Sequence, residues 1–185
     1  MTNEGKLVLL IAAGVGLAAL AAEGATVGLA YWESSANAKK WAPVIAAAEQ
    51  QYGIPTGLLA RQAYEESGYR TSVINGTQPS PAGALGILQL MPQYFSSVQV
   101  PIPFSDGAIE GQIAQAAGYM HQLYQEFGNW PAALAAYNAG PGTVSQYLAA
   151  GGAGAGLSLP AQTVNYVTQI LADVPAAGSA QSVLG

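Results

Sequence analysis

Nowhere in the 185 residues does apolar and polar character alternate at period two for more than a few positions. A half-buried strand needs that alternation, so the chain is read as mainly α. Apolar side chains instead recur every three or four residues, beginning with Trp41, Ile45, Ala48 and Tyr52. Gly53-Ile54-Pro55 ends this first helix. Thr56 is expected to cap a second, which runs through Leu58, Leu59, Ala63 and Glu66. Residues 71–86 are rich in Gly, Pro, Ser, Thr and Asn and read as a loop. Ser105 caps a long helix with Asp106 in its first turn. Ile109, Ile113, Ala116, Met120, Leu123 and Phe127 form its buried stripe, and Gly128-Asn129 closes it. Pro131 opens a helix through Tyr137. Residues 150–156 read as a flexible Gly/Ala loop. A last helix follows Pro160 and carries Val164, Val167, Ile170 and Leu171. The tail from Pro175 is expected to fray.

Composition removes several functions. Charged residues are 8% of the chain and hydrophobic residues 51%, against about 25% charged in ordinary domains. Five Lys and Arg against ten Asp and Glu leave a net charge of −5. No basic stripe exists to neutralise a phosphate backbone, which excludes nucleic acid as a partner. With no cysteine and one histidine, His121, neither a thiolate nor a His-rich metal site can form, and no metal or cofactor is expected. No G-x-S-x-G turn flags a serine nucleophile.

Residues 7–22 are an unbroken apolar run, extended past Glu23 to Tyr31 and Trp32. The 7–32 segment is long enough for a membrane span of about 20 residues, with Tyr31 and Trp32 suited to an interfacial belt. It is read as an N-terminal hydrophobic helix that attaches the chain to a membrane or a virion assembly. A cleaved signal peptide is the rival, because Ala19-Leu20-Ala21 offers small residues at a cleavage position. The expected organisation is a hydrophobic segment and linker over 1–36, a helical domain over 37–174 and a flexible tail over 175–185.

Ten carboxylates are few enough to weigh singly. Glu49, Asp106, Glu110, Glu126 and Asp173 sit among polar neighbours and read as solvated. At 100° per residue Glu66 falls about 20° from Leu59, on the apolar face, whereas Glu65 lies about 120° away, toward solvent. A carboxyl on an inward face is costly to ionise, so its pKa rises and it becomes a candidate general acid. A helix-end glutamate bonded to loop backbone is the plainer reading.

Four blocks narrow the choice: Glu66-Ser67-Gly68-Tyr69, then Gly83-Ala84-Leu85-Gly86-Ile87-Leu88-Gln89-Leu90-Met91-Pro92. Next come Ala133-Leu134-Ala135-Ala136-Tyr137-Asn138-Ala139-Gly140-Pro141-Gly142 and Leu159-Pro160 with Thr163-Val164-Asn165-Tyr166-Val167. In this order and spacing, over residues 41–172, the chain resembles the soluble lytic transglycosylase (SLT) family. The resemblance implies a lysozyme-like fold of the goose type. By position it implies Glu66 as the catalytic acid, and Ser67, Gly83, Ala84 and the stretch to Gln89 as cleft wall. Gln89, Tyr137 and Asn138 would contact sugar or hold the acid, with Tyr166 close by. The chain departs from the family pattern at Gln162, where Glu is frequent, at Leu88 for Met, and at Gln112 and Ala116 for Asn and Gly.

The implied activity is cleavage of the β-1,4 bond between N-acetylmuramic acid and N-acetylglucosamine in peptidoglycan strands, leaving a 1,6-anhydro end. One carboxyl suffices for this, whereas most glycosidases use two. The rivals are a goose-type hydrolase, with a carboxylate from Asp106, Glu110 or elsewhere positioning water, and a non-catalytic wall-binding or virion protein. The implied setting is a membrane anchor facing the wall in the periplasm, or a phage particle that opens the wall during entry.

Overall fold

A computed structural model describes residues 30–184. The helices are α1 (Ala36–Tyr52), α2 (Leu58–Ser67), α3 (Thr71–Ile74), α4 (Asp106–Phe127), α5 (Trp130–Ala139), α6 (Pro141–Ala149), α7 (Ala161–Asp173) and α8 (Gln181–Leu184). Among the described residues there is no strand, only a single antiparallel bridge between Leu85 and Leu90. The 7–32 hydrophobic segment lies outside the described residues except for its last three. Tyr31 and Trp32, expected at a lipid interface, face the domain. The Tyr31 ring stands edge-on to Tyr64 at 5.5 Å and its hydroxyl donates to Asp173 Oδ2 at 2.8 Å.

Helix α5 is the hub. Its sequence is apolar on every side, and Ala132 through Ala136 are all buried. A helix with no polar face must be enclosed, and α4, α6 and α7 pack around it. Its small alanines allow those helices to approach closely, while Leu134 fills the remaining space. Asn129 caps α5 by accepting from the Ala132 N–H at 2.8 Å. The stripe expected on α4 is present, with Ile109, Ile113, Ala116, Met120 and Leu123 buried and Phe127 at its end only partly so.

Several expectations need correction. Thr56 does not cap α2; Gly57 holds the N-cap position at φ 85° with no side-chain bond of its own. The cap is Glu49 from α1, whose Oε2 accepts from Gly57 N–H at 2.9 Å and whose Oε1 accepts from Leu59 at 2.8 Å and Ala60 at 3.2 Å. Glu49 is therefore buried rather than solvated, because the positive end of α2 needs an anion. The 71–86 loop begins with the single turn α3, driven by burial of Val73 and Ile74. Helix α6 is an addition to the elements the sequence pattern predicts after Gly140; Pro141 opens it and Val144 and Tyr147 are its buried face. Residues 152–155 form a 3₁₀ turn with Gly152 buried, not an open loop. The tail is docked, since Val183 is buried and its carbonyl accepts from the Tyr147 hydroxyl at 3.0 Å.

Glu49→Ala strands three N–H groups at a buried helix start and should lower the unfolding free energy in urea by about 2–3 kcal/mol. Glu49→Gln, which retains one acceptor oxygen, should lose less. A loss below about 0.5 kcal/mol for the alanine variant would show that the cap does not hold α2.

Candidate active site

Glu66 is the next-to-last residue of α2, and the turn that follows fixes where it points. Gly68 and Tyr69 both take left-handed backbone, at φ 57° and 51°. Glycine adopts this freely, but tyrosine needs support. Ser67 supplies it, since its hydroxyl donates to Ala63 O at 2.7 Å and accepts from Tyr69 N–H at 3.1 Å. The Tyr69 hydroxyl reaches back to Ala60 O at 3.0 Å. The end of α2 is thus braced on both sides of Glu66.

Helix α7 delivers Tyr166, whose hydroxyl donates to Glu66 Oε1 at 2.7 Å. Burial pushes the Glu66 carboxyl from 4.5 up to about 7; the Tyr166 bond opposes the rise and the neighbouring Glu65 charge adds to it. Desolvation wins because the hydrogen bond supplies one donor while the surrounding wall removes water. Burial likewise holds the Tyr166 and Tyr137 hydroxyls well above their usual pKa, so both remain donors. Glu65, expected in solvent, is partly buried and accepts from Arg61 Nη1 at 2.8 Å.

Three recesses meet around these groups. One of about 350 Å³ is lined by Glu65, Glu66, Asn138, Gln162, Asn165 and Tyr166. Asn138 also borders a second, of about 700 Å³, whose walls include Gln89, Met91, Phe95, Tyr119 and Tyr137. Glu65 and Glu66 also border a third, of about 410 Å³. The recesses adjoin through shared lining residues as a groove past Glu66, which borders the first and the third. Phe95, Tyr119 and Tyr137 form an aromatic row along it, with neighbouring ring centres 5.2 and 5.6 Å apart.

The residues singled out in the sequence divide into those on the groove and those behind it. Glu66, Gln89, Tyr137, Asn138 and Tyr166 line it. Ser67 and Ala84 are buried, so neither forms open cleft wall; Ser67 acts through the backbone turn. Gly83 is exposed and lines none of the three recesses. The Tyr137 hydroxyl donates to Leu88 O at 2.7 Å, which ties α5 to the 83–90 loop while the ring faces the groove. Asn138 Oδ1 accepts from the Thr163 hydroxyl at 2.8 Å. Phe95, Tyr119 and Arg61 carry no signal in the sequence pattern, and Tyr31 is expected there at a lipid interface; these side chains reach the site only through the tertiary fold.

The family model for the transglycosylase SLT domain matches residues 43–157. The chain belongs to that family. Its fold is similar to that in the X-ray structure of an inactive mutant of lytic transglycosylase Slt from Pseudomonas aeruginosa, at a TM-score of 0.51 and 21% sequence identity. The likeness covers 74% of this chain and 25% of that one, so the present chain spans about a quarter of its length.

Within the SLT domain the departures from the family pattern fall on traceable positions. Gln162 lines the recess beside Glu66. Leu88 is fully buried and offers its carbonyl to Tyr137. Gln112 is fully buried against Gly86, where an added Cβ would lie 2.0 Å from its Oε1. Gly86 is at φ 81°, so both space and backbone restrict this position to glycine.

The raised Glu66 pKa carries a stability consequence. The folded state holds this proton more tightly than the unfolded chain, so stability falls as pH rises from about 4.5 to about 7 and stays reduced above. The cost is on the order of 3 kcal/mol. Glu66→Gln removes it. The variant should melt roughly 6–12 °C above the native chain at pH 8 and close to it at pH 4. An equal difference at both pH values would contradict the raised pKa.

Proposed function

We propose that the chain is a peptidoglycan lytic transglycosylase with Glu66 as its acid and base. The observation that carries this reading is a half-buried carboxyl in mid-groove, held near neutral pKa and bonded to Tyr166. Protonated Glu66 gives its proton to the glycosidic oxygen between N-acetylmuramic acid and N-acetylglucosamine as the C1–O bond breaks. The substrate's own N-acetyl group stabilises the charge at C1. The Glu66 carboxylate then takes the proton of the C6 hydroxyl, whose oxygen attacks C1 and closes the 1,6-anhydro ring. Bonds and protons balance without water. The nucleophile is tethered to the reacting sugar, so proximity replaces an activated water.

Support for a single acid comes from the other carboxylates. Asp106 is exposed and paired with Lys40 at 2.7 Å, and neither it nor Glu110 lines the three recesses. Glu65 is engaged by Arg61. The aromatic row suits sugar faces, which stack on rings. Gln89, Asn138 and Tyr166 supply polar groups for orientation, and Tyr137 holds the loop that carries Gln89.

Glu66→Gln should abolish release of muropeptides from purified sacculi, with Glu65→Gln keeping most of it. For the native chain, kcat/KM should fall about tenfold per pH unit above about pH 7, as the acid loses its starting proton. Mass spectrometry should find fragments lighter by one water than hydrolysed ones. Reducing ends as the main product would favour a goose-type hydrolase. Retained turnover in the Glu66 variant would remove the assignment.

The proposal extends to location: residues 7–32 attach the chain to a membrane facing the wall or to a phage particle. Tyr31 and Trp32 pack on the domain, so the informative truncation removes residues 1–29. Full-length protein should pellet with membranes or particles and the truncated form should not. Soluble behaviour of both would end the attachment proposal.

A further inference from the structure

Gln62 is fully buried on α2, and neither its amide nitrogen nor its amide oxygen has a hydrogen-bond partner among the described residues. A buried amide left unpaired is costly, so native proteins keep few of them. The packing of α2 does not call for one. Leu58, Leu59 and Ala63 beside it are apolar and fully buried, and an unbranched apolar side chain of the same length would fill the same space.

Its place on the helix connects this amide with the acid. Gln62 and Glu66 are four residues apart, hence one turn along α2 and about 40° apart around it. Tyr166 from α7 is 6% exposed and sets its hydroxyl on Glu66 Oε1 at 2.7 Å. Burial, the Glu66 and Tyr137 charges and the bond to Glu66 push the Tyr166 pKa up, whereas the Gln62 amide pulls it down. A donor beside the phenolic oxygen has that effect. The amide thus lies next to the hydroxyl that Glu66 uses, without closing a full hydrogen bond on it.

We infer that Gln62 is a positioning residue for the acid, its amide N–H closing on the Tyr166 oxygen when Glu66 becomes ionised. The inference rests on the reading of Glu66 as acid and base. As Glu66 gives up its proton, the Tyr166 hydroxyl donates more strongly to the carboxylate and its oxygen gains electron density. That oxygen then accepts from Gln62, and the two hydrogen bonds strengthen each other away from water. The proton of Tyr166 stays on its oxygen, and no covalent bond changes at Gln62. A bond completed only after proton transfer favours the reacting state over the resting enzyme. The ionisable groups facing Glu66 are Glu65 on its own helix, Tyr166 from α7 and Tyr137 from α5. Arg61, Arg70 and Tyr31 border the adjoining recess, and Glu49 from α1 is engaged at the far end of α2.

The test replaces the amide with an apolar side chain in the full-length chain, as Gln62→Met and independently as Gln62→Leu. Removing an unpaired buried amide should leave the melting temperature unchanged or raised. On purified sacculi kcat should fall about five- to tenfold with KM held within about twofold. The alkaline limb of kcat/KM should move up by roughly 0.5–1 pH unit, because the carboxylate has lost support. In a Tyr166→Phe background the same replacement should cause no further shift of the limb, since Gln62 acts through that hydroxyl. Unchanged kcat and limb in both variants would overturn the inference and leave the activity standing. So would a limb moved to lower pH with a lowered melting temperature, the mark of a loosened core that readmits water to Glu66. No fragment release by the native chain would overturn the inference and the activity together.

Discussion

A carboxyl cannot stay neutral near pH 7 unless water is kept from it, and the fold around Glu66 is arranged to do so. Helix α2 carries the residue at its last turn, where the left-handed pair Gly68 and Tyr69 turns the chain away. Helix α7 covers it with Tyr166. Helix α5 lies behind α7, and its alanines permit the close approach that brings Asn138 and Tyr137 beside the same groove. The groove is open enough to admit a polymer, yet the carboxyl within it is desolvated enough to hold its proton. A single donor hydrogen bond opposes that shift and is the weaker influence.

The second constraint is a buried cation. Arg61 is 2% exposed on α2, five residues before Glu66. A buried guanidinium must be paired, and its partners come from different places: Glu65 from its own helix and Asp173 from the end of α7. Tyr31 bonds the same aspartate from outside the helical domain. One side chain therefore fixes α2 against α7 and draws the N-terminal strand of chain onto the rim of the groove. At the start of α2 another buried charge does related work, where Glu49 meets three N–H groups. Helix α2 is held at its start by Glu49 and within its first half by Arg61, which fixes the depth at which Glu66 sits.

Much of this was legible from residue order. The helical class, the stripe on α4 and the inward face of Glu66 follow from periodicity, because a helix repeats its environment every three to four residues. Other features depend on which helices meet. Glu49 and Asp173 look solvated in isolation because their neighbours in sequence are polar; the partners of Glu49 lie 8 to 11 residues away and the Arg61 partner of Asp173 lies 112 away. The cap of α2 escapes the sequence for the same reason: Thr56 is the local candidate, but the carboxylate comes from another helix. The Gly-rich stretch at 150–156 and the small-residue tail carry little side-chain pattern, so the burial of Gly152 and Val183 had no signature. The motif suggests Ser67 as cleft wall, but its hydroxyl, bonded to Ala63 and Tyr69, sits behind the surface.

The central claim is that burial holds the Glu66 carboxyl protonated up to near-neutral pH. Its titration can be read directly by ¹³C NMR of the carboxyl carbon in glutamate-labelled protein, with Glu66→Gln identifying the resonance by its loss. The account predicts a midpoint near pH 7. A midpoint near 4.5, the value of an ordinary glutamate, would contradict it.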